Sequence, residues 1–270
     1  MPDLVEFELM RPAQIVEARR RCPIAYLPIG PLEWHGPHLP LGTDGIHAHW
    51  IAVEVARRVG GVVLPPYFLG TDTVRPTDGP QGVRPLGFKG DERIVGMDFP
   101  DNPVKSLYIE EGAFAVVVRE IIRLIKLDPY RLVLIINGHG APNHVRALRR
   151  LAAEESDLPR VRVVYETASS SAPPPLDPGH AERGETALIM SAVPGSVDVK
   201  TLPPKESPLR YRDYGIVNGS AFDGRPTPDF AVPRDSDPRY ATSEEGAAML
   251  AREIERLVTQ VRKYLAETVS

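Results

Sequence analysis

The sequence predicts a single α/β domain whose mainly parallel sheet is covered by helices on both faces. Three observations predict it. Short apolar runs of strand length alternate along the chain with longer stretches of helical periodicity. The runs are continuous rather than alternating polar and apolar, as strands buried on both faces are. The 270 residues, 42% hydrophobic and 25% charged, suit a globular protein with a substantial core.

Each element has a local reason. Residues 24–29 form an apolar run closed by Gly30-Pro31, a buried strand. Residues 44–59 read as a helix, with Thr43 or Asp44 as its N-cap and Gly60-Gly61 as its stop. Residues 61–64 are a second short strand. Over residues 109–127, Phe114, Val117, Val118, Ile121, Ile122 and Ile125 recur at helical spacing. Residues 132–136 form a third strand, ended by Asn137-Gly138, and a basic-faced helix follows at 144–155. A strand at 161–165, a helix at 182–192 and a long helix at 243–266 with an acidic start complete the alternation. Two stretches break it: 75–107 and 203–240 are rich in Pro, Gly and Asp. Loops of that length in a compact domain are commonly lids or subunit contacts, and plain surface excursions otherwise.

Composition narrows the function. A net charge of −4 gives no global reason to bind nucleic acid or an anionic membrane. The start of the chain carries acids and has no apolar run of signal-peptide type, and nothing approaches the ~18 apolar residues of a membrane span. Cys22 is the single cysteine, which suits a cytoplasmic location and excludes an intramolecular disulfide. Its plain reading is a small, half-buried residue. No Gly-x-Ser-x-Gly elbow of a serine hydrolase occurs.

Chemistry concentrates where strands end. Leu32-Glu33-Trp34-His35-Gly36-Pro37-His38-Leu39-Pro40-Leu41-Gly42-Thr43-Asp44 follows the first strand directly. Ligand sites of open α/β sheets lie beyond the carboxyl ends of strands. Glu33 and His35 are two apart, so an extended segment points them the same way. With Asp44 they offer two carboxylates and an imidazole, a set suited to Zn²⁺ or Mn²⁺. Plainer roles stand beside this: Asp44 as a helix cap, His35 as a hydrogen-bonded loop residue, Glu33 as a surface acid. Glu33 lies between Leu32 and Trp34, an awkward place for an idle charge. His38 is off the alternation, and His47 reads as a solvated helix histidine. The third strand places His139 of Asn137-Gly138-His139-Gly140 on the same edge, with two glycines that let the backbone approach a ligand closely. A third cluster, Gly179-His180-Ala181-Glu182-Arg183-Gly184-Glu185-Thr186, offers one imidazole and two acids at a loop-to-helix junction.

These segments resemble the creatininase family of metal-dependent amidohydrolases. The first matches that family's Glu-x-His-Gly-x-His-Leu-Pro-Leu-x-Thr-Asp signature at every named position. Asn-Gly-His-Gly and Gly-His-Ala, with Glu-Thr further on, follow in the same order, and the likeness runs patchily from Ile24 to Met190. The resemblance implies a three-layer αβα sandwich with two divalent ions per chain, Zn²⁺ first, with Mn²⁺ or Fe²⁺ as alternatives. It assigns Glu33 to one ion, His35 to the other and Asp44 to both, with His139 completing the first site. Creatinine-hydrolysing members take a further ligand two residues after that histidine. Here that position is Ala141, and Glu185 is the glutamate that matches the alternative. His180 matches the histidine that moves protons, with Glu185 beside it in the catalytic set.

The function this implies is hydrolysis of a small cyclic amide or formamide by metal-activated water. The alternatives are C–C hydrolysis that opens a cyclic polyol diketone such as a diketo-inositol (as in 3-dehydro-scyllo-inosose hydrolase) and, from another class, a non-catalytic metal-binding or assembly protein. The expected partners are a small-molecule substrate and further copies of the chain, a hexamer by resemblance, without nucleic acid or membrane. The family's His…Phe-Pro-Gly-Thr stretch is absent from 68–100. The tryptophans that hold creatinine in some members have no counterpart, since the chain has only Trp34 and Trp50. Creatinine is therefore not the expected substrate. Arg75, Arg84, Lys89 and Lys105 of the long insert are candidates to grip a polyhydroxylated or acidic substrate, or else a solvated loop face.

Overall fold

The computed structural model describes residues 4–78, 84, 93–99, 102–169, 179–210 and 231–269. Four parallel strands, β1 (Ile24–Ile29), β2 (Val62–Val63), β3 (Leu132–Asn137) and β4 (Arg162–Thr167), form a sheet in the order β2-β1-β3-β4. Among the described residues six α-helices accompany them: α1 (Pro12–Arg21), α2 (Thr43–Val59), α3 (Glu111–Ile125), α4 (Pro142–Glu155), α5 (Arg183–Ala192) and α6 (Ser243–Val269).

Side chains alternate across β1 and β3 into two cores. Ile24, Tyr26, Leu132, Leu134 and Ile136 pack with Ile51, Val55, Ile254 and Leu257 of α2 and α6. Ala25, Leu27, Ile29, Val133 and Ile135 pack with Phe114, Val118, Leu148 and Leu151 of α3 and α4. The result is the expected αβα sandwich. Every residue of β1 and β3 is buried, which explains why their sequences show no alternation. Cys22 is buried in the first of these cores.

The register decides where the site lies. Ile29 pairs with Asn137, and Asn137 with Thr167, so β1, β3 and β4 end level on one edge. Two glycines just past that edge let α2 dock against it. A Cβ on Gly30 would stand 2.5 Å from the Asp44 Cβ, and one on Gly138 would stand 2.1 Å from the Asp44 carbonyl oxygen. Gly138 thus makes room for protein backbone rather than for a ligand.

Two readings of the sequence are corrected, and one helix is added. Helix α1 has no strong periodic signal, because Ala18 is its one buried residue. The cap of α2 is Gly42, with Thr43 and Asp44 inside the first turn. The Thr43 hydroxyl donates to the Pro40 carbonyl at 2.7 Å, and the Asp44 carboxylate is left for other work. His47 is not solvated: it is buried where α2 faces Ser169, 3.5 Å from its hydroxyl.

The insert 75–107 is bonded to itself where it is described. Arg75 donates to the Gly96 carbonyl, Arg84 pairs with Asp78 at 2.7 Å, and Lys105 donates to the Phe99 carbonyl at 2.9 Å. Lys89 and residues 211–230 of the second excursion lie outside the described residues.

Candidate metal centre

Glu33, His35, Asp44, His139 and Glu185 meet at the carboxyl edge of the sheet, all buried. The loop after β1 supplies Glu33 and His35, the first turn of α2 supplies Asp44, the turn after β3 supplies His139, and the first turn of α5 supplies Glu185. Their donor atoms form two groups that share one carboxylate: Glu33, Asp44 and His139; and His35, Asp44 and Glu185. Asp44 divides its oxygens between them. Oδ2 lies 3.1 Å from His139 Nδ1, and Oδ1 lies 3.4 Å from His35 Nε2. Glu33 Oε2 stands 3.1 Å from His139 Nδ1, and Glu185 Oε2 stands 3.6 Å from His35 Nε2.

Backbone carbonyls set the imidazoles. His35 Nδ1 lies 2.9 Å from the Glu33 carbonyl, which can only accept, so Nδ1 carries the proton and Nε2 turns its lone pair to the carboxylates. His180 does the converse. Its Nε2 donates to the Trp34 carbonyl at 2.8 Å, leaving Nδ1 free, 4.0 Å from Glu33 Oε2. The His180 ring lies against His35, with centroids 4.3 Å apart.

The turn that carries His139 is braced from behind. Asn137 Nδ2 donates to the His139 carbonyl at 2.6 Å, and Asn137 Oδ1 accepts from the His139 N–H at 3.0 Å and from His144 Nε2 at 2.9 Å. On the other side, His38 Nε2 and the Thr186 hydroxyl share a hydrogen bond of 3.1 Å, which ties the first loop to the residue after Glu185. The Ala181 N–H donates to Glu185 Oε2 at 2.7 Å from a backbone held at φ 55°.

The charge balance calls for cations. Three carboxylates converge in a space where burial works against each of them. For Glu185 burial wins and its pKa rises. Glu33 and Asp44 are nevertheless held low, Glu33 chiefly by His139, and Asp44 chiefly by His35 and His139. Burial also opposes charge on His35 and His139, yet the adjacent acids raise both imidazoles well above the ordinary value. His35 Nε2 and Asp44 Oδ2 are buried without a hydrogen-bond partner among the described residues. Converging acids with orphaned donor atoms fit divalent ions of the borderline kind. Burial, and then the neighbouring His35, push His180 down to about 3, so it is a neutral imidazole.

Two residues near the centre have no counterpart in the sequence reading. Tyr108 donates its hydroxyl proton to Glu33 Oε1, and Asp72 Oδ2 lies 3.7 Å from His139 Nε2. Asp72 carried no sequence signal, since the pairing of Tyr67, five residues before it, with Ile29 at the same sheet edge is visible only in the fold. Tyr108 carried none either. Beyond this pair opens a polar cavity of about 530 Å³ whose lining includes Asp72, Tyr108, Arg93, Asn143 and Arg146.

A parallel sheet bearing two acid–imidazole donor groups at its carboxyl edge defines a metal-dependent hydrolase. The chain belongs to the creatininase family: the model of creatinine amidohydrolase matches residues 8–81 and 103–261. Among solved structures, a putative creatinine amidohydrolase from Bacteroides fragilis superposes with a TM-score of 0.67 at 20% identity, covering 98% of this chain and 97% of that one. Creatininase in a manganese form and a creatininase mutant of Zn–Zn type give 0.61 and 0.62 at 19% and 18% identity, each covering 96% of this chain and 98% of the other. A 3-dehydro-scyllo-inosose hydrolase from Thermotoga maritima is 35% identical over 69 residues, which is 26% of this chain and 22% of that protein.

Proposed function

We propose that the chain hydrolyses a small, cyclic substrate at a carbonyl carbon, cleaving the C–N bond of a cyclic amide or a formamide with two divalent ions. The observation that carries this is the division of Asp44, one oxygen toward His139 and the other toward His35. Glu33 and His139 would hold one ion, His35 and Glu185 the second, with Asp44 common to both. Such ions lower the pKa of water and polarise a carbonyl oxygen. Zn²⁺ suits the set first, and Mn²⁺ and Fe²⁺ are the alternatives.

The chain's own residues supply the proton handling. His180 is fixed by its bond to the Trp34 carbonyl, so Nδ1 is the nitrogen that takes a proton and passes it to the leaving group. The ring contact with His35 keeps it over the centre.

A second reading, opening of a cyclic polyol diketone by C–C hydrolysis, is favoured by two observations. The partial match to the inosose hydrolase is one. The polar lining of the cavity beside Asp72 and Tyr108 is the other, since hydroxyl groups need such partners. Creatinine fits poorly: Trp50 packs against the α2–α6 core, and Trp34 is buried in the first loop. Metal-loaded protein assayed in parallel against creatinine, lactams, formamides and diketo-inositols tests both readings. Turnover of a lactam or formamide alone supports the first, and of a diketo-inositol alone the second. Creatinine turnover with kcat/KM in the ordinary range of roughly 10⁴–10⁸ M⁻¹s⁻¹ would overturn the argument against it.

We also propose that the enzyme acts in the cytoplasm as a homo-oligomer. Val116 and Leu124 on α3, and Leu127 in the turn after it, are exposed apolar side chains, which supports self-association.

A further inference from the structure

Tyr108 is held on both sides. The Leu107 N–H donates to the Leu32 carbonyl at 2.8 Å, and the Ile109 N–H donates to the Gly70 carbonyl at 2.8 Å. Its hydroxyl accepts from the Met97 N–H at 3.2 Å and donates to Glu33 Oε1. Both bonds fix the hydroxyl, and they separate the two oxygens of Glu33. Oε1 is engaged by Tyr108, while Oε2 faces His139 Nδ1 at 3.1 Å.

Asp72 is divided in the same way. Oδ1 accepts from the Thr73 N–H at 2.6 Å and lies 3.3 Å from the Thr73 hydroxyl. Oδ2 faces His139 Nε2 at 3.7 Å, on the opposite side of the ring from the other carboxylates. That nitrogen is buried without a hydrogen bond among the described residues, and a closure of roughly 0.8 Å would make one. Gly96 brings the two groups together. A Cβ there would stand 2.4 Å from Asp72 Oδ2 and 2.6 Å from the Tyr108 hydroxyl, and its φ of 53° favours glycine. The strip carrying Gly96 is laid against residues 73–75 by the Val74–Val95 bridge and by the Gly96 N–H bond to the Thr73 carbonyl at 3.0 Å.

We infer that Asp72 and Tyr108 are positioning residues of the metal centre, one acting through His139 and the other through Glu33. Tyr108 limits Glu33 to a single ligating oxygen, Oε2. Asp72 accepts the Nε2 proton of His139 and so makes Nδ1 the ligating nitrogen. Metal-bound imidazoles commonly give their second N–H to a carboxylate, which orients the ring and raises its basicity. The insert is then a brace for the ion at Glu33, Asp44 and His139, and the ion at His35 and Glu185 is outside its reach. This inference rests on the two-ion reading of the site.

The test is cobalt and zinc titration of full-length protein, by calorimetry and by the visible absorption of bound Co²⁺, in Tyr108→Phe, Asp72→Ala and Asp72→Asn. Tyr108→Phe and Asp72→Ala should each weaken one of the two ions by roughly 10–100-fold and change its Co²⁺ spectrum. The other ion should stay within about twofold, and metal-free protein should melt as the wild type does. Asp72→Asn, which keeps an acceptor on the same stem, should recover part of the affinity. Wild-type affinity and spectrum in Tyr108→Phe and Asp72→Ala would overturn the inference. So would equal weakening of both ions together with a lower melting temperature of metal-free protein, which marks general structural damage. If wild-type protein itself binds fewer than two ions, the two-ion reading fails, a result separable from failure of the brace.

Discussion

Substituting Gly138 by alanine should separate the two elements that make the centre. The added Cβ would lie 2.1 Å from the Asp44 carbonyl oxygen and 2.7 Å from its carbonyl carbon, where ordinary contact begins at 3.4 Å. Both atoms are helix backbone and cannot swing aside, so the end of β3 and the start of α2 must part by roughly 1 Å. That movement carries His139 away from Asp44 Oδ2, now 3.1 Å distant. Overpacking of this kind costs roughly 1–3 kcal/mol of stability. A 1 Å misplacement in a reacting site costs on the order of 100-fold in rate. Gly140, two residues on, is the control: a Cβ there meets nothing within 4 Å, so Gly140→Ala should change stability by less than about 0.5 kcal/mol. Urea unfolding of metal-free protein and calorimetric metal titration, run on both variants, read the two effects. Equal behaviour of the variants, or full metal affinity in Gly138→Ala, would refute the reasoning.

Further expectations follow from the same geometry. Glu185→Gln should lose mainly one ion by elemental analysis, and full occupancy would remove Glu185 from the ligand set. Burial pushes the His47 imidazole from 6.5 to about 4, so the unfolded chain takes up its proton at a higher pH than the folded one. No stability is lost to this group above pH 6.5 or so. About 3 kcal/mol is lost as the pH falls from there to about 4. His47→Gln should flatten that part of the acid limb in metal-free protein, and an unchanged slope would contradict it. Removing the ions with a chelator should lower stability by roughly 2.7 kcal/mol relative to protein held at 100 times the dissociation constant. An unchanged melting temperature would show that the carboxylates need no cation. Light scattering at micromolar protein should give a multiple of the 29.7 kDa chain mass, and a monomer mass would end the proposal of self-association.

The sequence made the sheet and most of the centre legible for a simple reason. In a parallel sheet every strand delivers its following loop to the same edge, so Glu33, His35 and His139 could be gathered without knowing a single distance. Asp44 followed from its place at the start of the next helix. Glu185 needed the family resemblance, because nothing local separates it from Glu182. What stayed hidden depended on packing between distant segments. His47 looks like any polar helix residue until Ser169 is brought 3.5 Å from it. Tyr108 reaches Glu33 only because the residues on either side of it are pinned to Leu32 and Gly70. Helix α1 escaped because it buries too little apolar surface to leave a periodic trace. Neither of the two glycines read as positions of close approach to a ligand is one: what approaches Gly138 is α2, and Gly140 faces open space.

The central claim is a pair of ions sharing Asp44, and anomalous diffraction from crystals of metal-loaded protein at the absorption edge of the bound metal tests it most directly. The account predicts two anomalous peaks flanking the Asp44 carboxylate, each about 2.0–2.2 Å from its ligating atoms. One should adjoin Glu33 and His139, the other His35 and Glu185. A single peak, or peaks away from Asp44, would contradict it.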